Sequence, residues 1–172
     1  MALVYRRPQH LSPAGAAFIA RFEGVVLHPY NDPLGFATIG VGHLIGRRPV
    51  NARDRAKWKG FSRNDAMRLL QQDAESASAA VRNHVTARIN QAQHDALVSF
   101  TFNVGTGGFE KSSLLRLLNT HKGTVKGVTG PLALAEVRSQ LLRWVNAGSP
   151  VEAGLTARRL AEYKLFARGL YA

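Results

Sequence analysis

Between Gly24 and Val50 the chain stops reading as helix and reads as strand, and this one interruption constrains the fold more than any other feature. Before it, Ser12 and Pro13 supply a hydroxyl N-cap and a proline in the first helical position, and Phe18, Ile19 and Phe22 recur on one helical face. Gly24 stops that helix directly after Glu23. The segment Val25 to Val50 then carries the turn "NDPLG", the alternating "FATIGVG", and glycines at 35, 40, 42 and 46. These predict a small antiparallel hairpin or three-stranded sheet. A basic, turn-rich stretch follows from Pro49 to Gly60. Ser62 next caps a long amphipathic helix in which Leu69, Leu70, Ala74, Ala77, Val81 and Val85 recur at helical spacing.

Everything beyond reads as helix, over about 90–104, 109–119, 131–146 and 155–168, with "GTGG", "HKGTVKGVTG" and "NAGSP" as connections. The fold class is therefore α+β, a small N-terminal β lobe and a larger helical lobe joined by a long helix. A cleft between the lobes is the expected binding site. One domain is predicted over residues 1–172, with a basic N-terminal arm over 1–10, the β lobe over about 25–60 and the helical lobe over about 62–172.

Composition narrows the function classes. Hydrophobic residues make up 45% and charged residues 20%, which excludes wholesale disorder, and the absence of Cys removes disulfides, thiolate zinc sites and thiol catalysis. The opening "MALVYRRPQHLSP" has no apolar run, so neither a cleavable signal nor a membrane span is expected. A host cytoplasm is the expected starting compartment. A formal charge of +12 predicts attraction to a polyanion: DNA, RNA, an anionic membrane or bacterial cell wall.

Two phosphate-loop patterns fail on inspection. "GVGHLIG" is followed by Arg47, Arg48 and Pro49 where a helix must begin, and "GTGGFEKSS" places Glu110 where a phosphate would sit. No serine-hydrolase elbow or zinc-protease motif occurs, and the six His have no ligand-like spacing, so neither a serine hydrolase nor a zinc amidase is supported. The carboxylates are more informative. Only Glu23 and Asp32 precede residue 53, and they flank the switch from helix to strand. Glu23, at a helix C-terminus among Phe22, Val25 and Val26, is a candidate general acid, and Asp32, in a turn, is a candidate ionised partner. Spacing alone favours the ordinary reading, a helix-end Glu and a turn Asp, over the catalytic one.

The segment "FEGVVLHPYNDPLGFATIGVGH" (Phe22 to His43) resembles the signature of the phage-type lysozymes, glycoside hydrolase family 24, with Glu23, Asp32 and Thr38 at the family's spacing. "QAQHDALVSFTFNVG" (Gln91 to Gly105), "SSLLRLLN" (Ser112 to Asn119) and "GLTARRLAEYKLF" (Gly154 to Phe166) resemble further family segments in the same order. The basic arm and the loop "RRPVNARDRAKWKG" depart from the pattern.

The resemblance implies a lysozyme-like fold and cleavage of the β-1,4 bond between N-acetylmuramic acid and N-acetylglucosamine in peptidoglycan, with inversion. It implies Glu23 as acid, with Asp32 and Thr38 holding a water on the opposite sugar face. Leu44 and Phe102 match cleft positions, Asn103 offers an amide to the glycan, Arg158 lies behind the catalytic Glu, and His43 pairs with Asp73 to fasten the β lobe to the connecting helix. No cofactor is implied. A monomer acting on peptidoglycan is expected, needing a holin or another pore for release, or riding in a virion. Two rivals remain at this point: a lytic transglycosylase, which needs only the Glu, and a basic DNA-binding helical protein, for which no base-reading motif is present. The basic C-terminal helix also offers a membrane contact, against which Leu160, Leu165 and Phe166 read as core.

Overall fold

The computed structural model describes residues 8, 10–120 and 131–171. The predicted connection "HKGTVKGVTG" and most of the N-terminal arm lie outside them. Helix α1 (Pro13–Glu23) starts where predicted, the Ser12 hydroxyl accepting from the Gly15 N–H at 3.0 Å, and ends at Gly24 with φ +80°. Strands β1 (Val26–Asn31), β2 (Ala37–Gly40) and β3 (His43–Gly46) form an antiparallel sheet in that order. Thr38 is paired with Tyr30 and Leu44, and Ile39 with His43, so Thr38 and Leu44 share one face and Ile39 and His43 the other.

The region beyond the sheet departs from the sequence expectation in three places. The basic stretch contains a helix, α2 (Ala52–Lys57), nucleated by a capping box between Asn51 and Asp54. Arg48 locks it with a bidentate pair to the buried Asp54 at 2.6 and 2.9 Å, which pulls the Asp54 carboxyl down to about 2. The connecting helix is two, α3 (Arg63–Asp73) and α4 (Glu75–His84), parted at Ala74, where ψ flattens to −2° and the N–H is shared between the Leu70 and Gln72 carbonyls. Third, the expected helix over 109–119 divides into α6 (Thr106–Glu110) and α7 (Ser113–Thr120), because the Ser112 hydroxyl accepts from Leu115 and restarts the chain. "GTGG" is thus partly helical rather than a connection.

Helix α5 (Gln91–Val104) is the centre of the molecule. Every residue from Gln93 to Thr101 is buried, and α1, α4, α6 and α9 (Glu152–Arg168) pack around it, with α8 (Pro131–Leu142) against α9. No described helix is long and apolar enough to cross a membrane.

Burial on all sides forces the polar residues of α5 to find partners. Asp95 does so by tying both ends of the fold together. It accepts from the Ser12 N–H (3.1 Å) and hydroxyl (2.5 Å), Gln91 Nε2 (2.9 Å) and the Tyr171 hydroxyl (2.7 Å). Burial pushes the Asp95 carboxyl up, but the His94 ring and the bonds from Ser12 and Tyr171 outweigh it and hold it below the ordinary aspartate value. Burial and the same carboxylate push the Tyr171 hydroxyl up to about 12. By linkage, the Asp95 contribution is present above its unfolded value and lost as pH falls through the lowered folded one. Asp95→Asn is therefore expected to cost about 1.5–3 kcal/mol at neutral pH, with the gap to wild type closing in acid; urea unfolding across pH checks this, and a gap constant with pH would contradict it.

Candidate active site

The sheet and α1 bring the first acid and its partners to the junction of the two lobes. Glu23 is the last residue of α1, three places before β1, and its side chain keeps 31% exposure. Asp32 follows β1 directly, and its Oδ1 accepts from the Leu34 N–H (2.9 Å) and the Phe36 N–H (2.8 Å), an Asx turn that fixes the carboxylate. The Phe36 carbonyl in turn accepts from both the Asp32 N–H (2.9 Å) and the Thr38 hydroxyl (3.0 Å). One peptide oxygen thereby joins Asp32 to Thr38. Leu44, opposite Thr38 on β3, is 45% exposed.

Behind Glu23 lies a buried ionic network whose extent exceeds the sequence reading. Arg158 Nη1 donates to Glu23 Oε1 at 2.5 Å, its Nη2 to the Ser99 carbonyl at 3.3 Å and its Nε to Glu162 Oε1 at 3.2 Å, with the guanidinium over the Phe22 ring. Glu162 also accepts from the Ser99 hydroxyl (2.7 Å) and from Arg159. Arg159 is fully buried over the Phe100 ring and reaches Glu162, the Trp144 carbonyl and Asn103 Oδ1. The signal was present in "RRLAE", where both arginines stand at helical-neighbour spacing from Glu162.

Arg159 orients Asn103. A guanidinium only donates, so the Asn103 carbonyl faces it and the amide N–H groups of this exposed residue face outward. Phe102 is half-buried and packs against the core. In the C-terminal helix, Leu165 and Phe166 are buried and Leu160 half-buried, which leaves the apolar side of α9 committed to the core.

His43 Nδ1 lies 3.0 Å from both Asp73 oxygens, joining β3 to the end of α3, with side-chain exposures of 28% and 31%. A pair that wet is worth little. His43→Asn is expected to cost no more than about 1 kcal/mol and to leave wall lysis intact; normal stability with abolished lysis would make His43 catalytic.

A family model described as phage lysozyme matches residues 20–162. The chain is 34% identical to an endolysin of Bacillus phage PZA over 161 residues, covering 92% of this chain and 55% of that protein. It is 31% identical to a SAR-endolysin of Bacteriophage PS119 over 140 residues, covering 81% and 73%. The chain thus spans about half the length of the first of these relatives. Among solved structures, the muramidase domain of SpmX from Asticaccaulis excentricus superposes with a TM-score of 0.70 at 31% identity, covering 94% of this chain and 98% of that one. A P22 lysozyme mutant superposes with a TM-score of 0.72 at 28% identity, covering 92% and 99%. With the family model spanning most of the sequence and the fold shared along nearly its whole length, the chain belongs to the phage lysozyme family.

Proposed function

We propose that this protein is a glycoside hydrolase that cleaves the β-1,4 bond between N-acetylmuramic acid and N-acetylglucosamine of peptidoglycan. The observation that carries the reading is the bridging of Asp32 to Thr38 through the Phe36 carbonyl. It joins the Asp32 backbone to the Thr38 hydroxyl while the Leu34 and Phe36 N–H groups fix the Asp32 carboxylate, with Glu23 at the end of the preceding helix. Glu23 protonates the leaving oxygen through Oε2, the oxygen that Arg158 leaves free, while Asp32 and Thr38 hold the attacking water and offset positive charge at the anomeric carbon. Water attack on the face opposite the leaving group gives inversion.

Arg158 acts as a positioning residue, holding the acid in one rotamer. Leu44, Phe102 and Asn103 contribute an apolar edge and an amide to the sugar ring. A lytic transglycosylase would need no residue in the water-holding place, and the fixed Asp32 and Thr38 pair favours hydrolysis. The protein works as a monomer, is made in a host cytoplasm and reaches the wall through a holin-type pore or with the virion. Digestion of purified sacculi is expected to release new sugar reducing ends and no new amino groups; release of amino groups would identify a peptide-bond or amide-bond enzyme instead.

A further inference from the structure

The segment from Arg47 to Arg63 holds more positive charge than any part of the catalytic junction, and the proposed reaction uses none of it. Its one acid, Asp54, is neutralised by Arg48. Arg47, Arg53, Arg55, Lys57, Lys59 and Arg63 are all exposed, and none has an ion-pair partner among the described residues. Six uncompensated cations on so short a stretch repel one another, and their display is held by interactions that do not involve them. These are the Asn51 capping box, the Arg48–Asp54 pair, the Ala37 N–H to the Arg48 carbonyl (2.7 Å) and the Val50 N–H to Asn31 Oδ1 (2.8 Å).

The cations of α2 are set apart from the substrate face. Trp58, at the C-terminal end of α2, packs edge-on against the His43 ring with centroids 6.1 Å apart. His43 points to the side of the sheet opposite Thr38 and Leu44. The cations can therefore be occupied while the junction holds a glycan.

We infer that this loop, helix and loop is a docking surface for an anionic phospholipid bilayer. Charge selects a polyanion, and one further feature selects a bilayer over a soluble polymer. The Leu34 side chain projects 76% exposed from the β1–β2 turn, whose ends Asn31 and Ala37 bond to Val50 and Arg48, while its backbone N–H serves the Asp32 turn. Cations around an inserted apolar side chain bind a membrane surface through both contributions at once.

Co-sedimentation with vesicles tests this without any cell wall present, so its outcome is independent of the reaction proposed above. The protein is expected to bind vesicles of equal phosphatidylglycerol and phosphatidylcholine, to ignore pure phosphatidylcholine, and to be released as salt rises. Arg53→Gln, Arg55→Gln and Lys59→Gln together should lower partitioning about 100-fold, at roughly fivefold per charge. Leu34→Ser should lower it roughly tenfold. A control of equal net charge, Lys111→Gln, Lys164→Gln and Arg168→Gln, should change it little. Equal losses in the two triple variants, no effect of Leu34→Ser, or binding to short double-stranded DNA in preference to the vesicles would each overturn the inference.

Discussion

Replacing Glu23 with Gln is expected to slow wall lysis by about 10² to 10⁴ with little change in the unfolding midpoint. The amide keeps the shape of the side chain and loses the transferable proton. Stability is spared because Arg158, only 5% exposed in its side chain, keeps Glu162 and the Ser99 carbonyl when the Glu23 carboxylate is gone. Sacculus clearance and thermal unfolding, measured on the same preparation, separate the two effects. A folded Glu23→Gln protein that clears sacculi at nearly the wild-type rate would remove Glu23 from the chemistry.

The opposite pattern is expected at Glu162. Glu162→Ala leaves the buried Arg159 guanidinium without a counter-charge and Arg158 with Glu23 alone, an arrangement that typically costs about 3–5 kcal/mol. In a chain of this size that corresponds to a fall of roughly 10 °C in the unfolding midpoint. Activity should fall as well at temperatures where the variant is folded, because Arg158 loses the Glu162 contact that aims it at Glu23. Loss of less than about 1 kcal/mol in urea unfolding would mean the network is solvated and does not anchor the acid.

These two residues differ in how plainly the sequence announces them. Glu23 and Asp32 sit at local punctuation, a helix-stopping Gly24 and an Asx turn, whose chemistry is complete within a few residues. The start of α1 is legible for the same reason, since Ser12 and Pro13 carry their own signal. Charged residues usually mark a solvated helix face, so nothing local in the sequence marks Glu162 and Arg159 as buried. Their burial depends on α5, far away in sequence, turning Ser99, Phe100 and Asn103 toward α9. The buried positions of α9, at 158, 159, 162, 165 and 166, nonetheless follow one helical stripe. Extending the apolar Leu165 and Phe166 backwards by turns would have reached all three charged residues.

Helix α2 was obscured differently. Its capping box uses Asp54 in place of the more familiar Glu, and its stability comes from Arg48, outside the helix. The break at Ala74 leaves no mark in the hydrophobic period, which runs through it undisturbed.

The most direct test of the central claim is mass spectrometry of the glycan fragments released from purified sacculi in oxygen-18 water. Hydrolysis by Glu23, Asp32 and Thr38 predicts that each new N-acetylmuramic acid reducing end carries one labelled oxygen. Unlabelled 1,6-anhydro ends would contradict the account, because they would show that no water attacks the sugar and that the site assigned to Asp32 and Thr38 is not used.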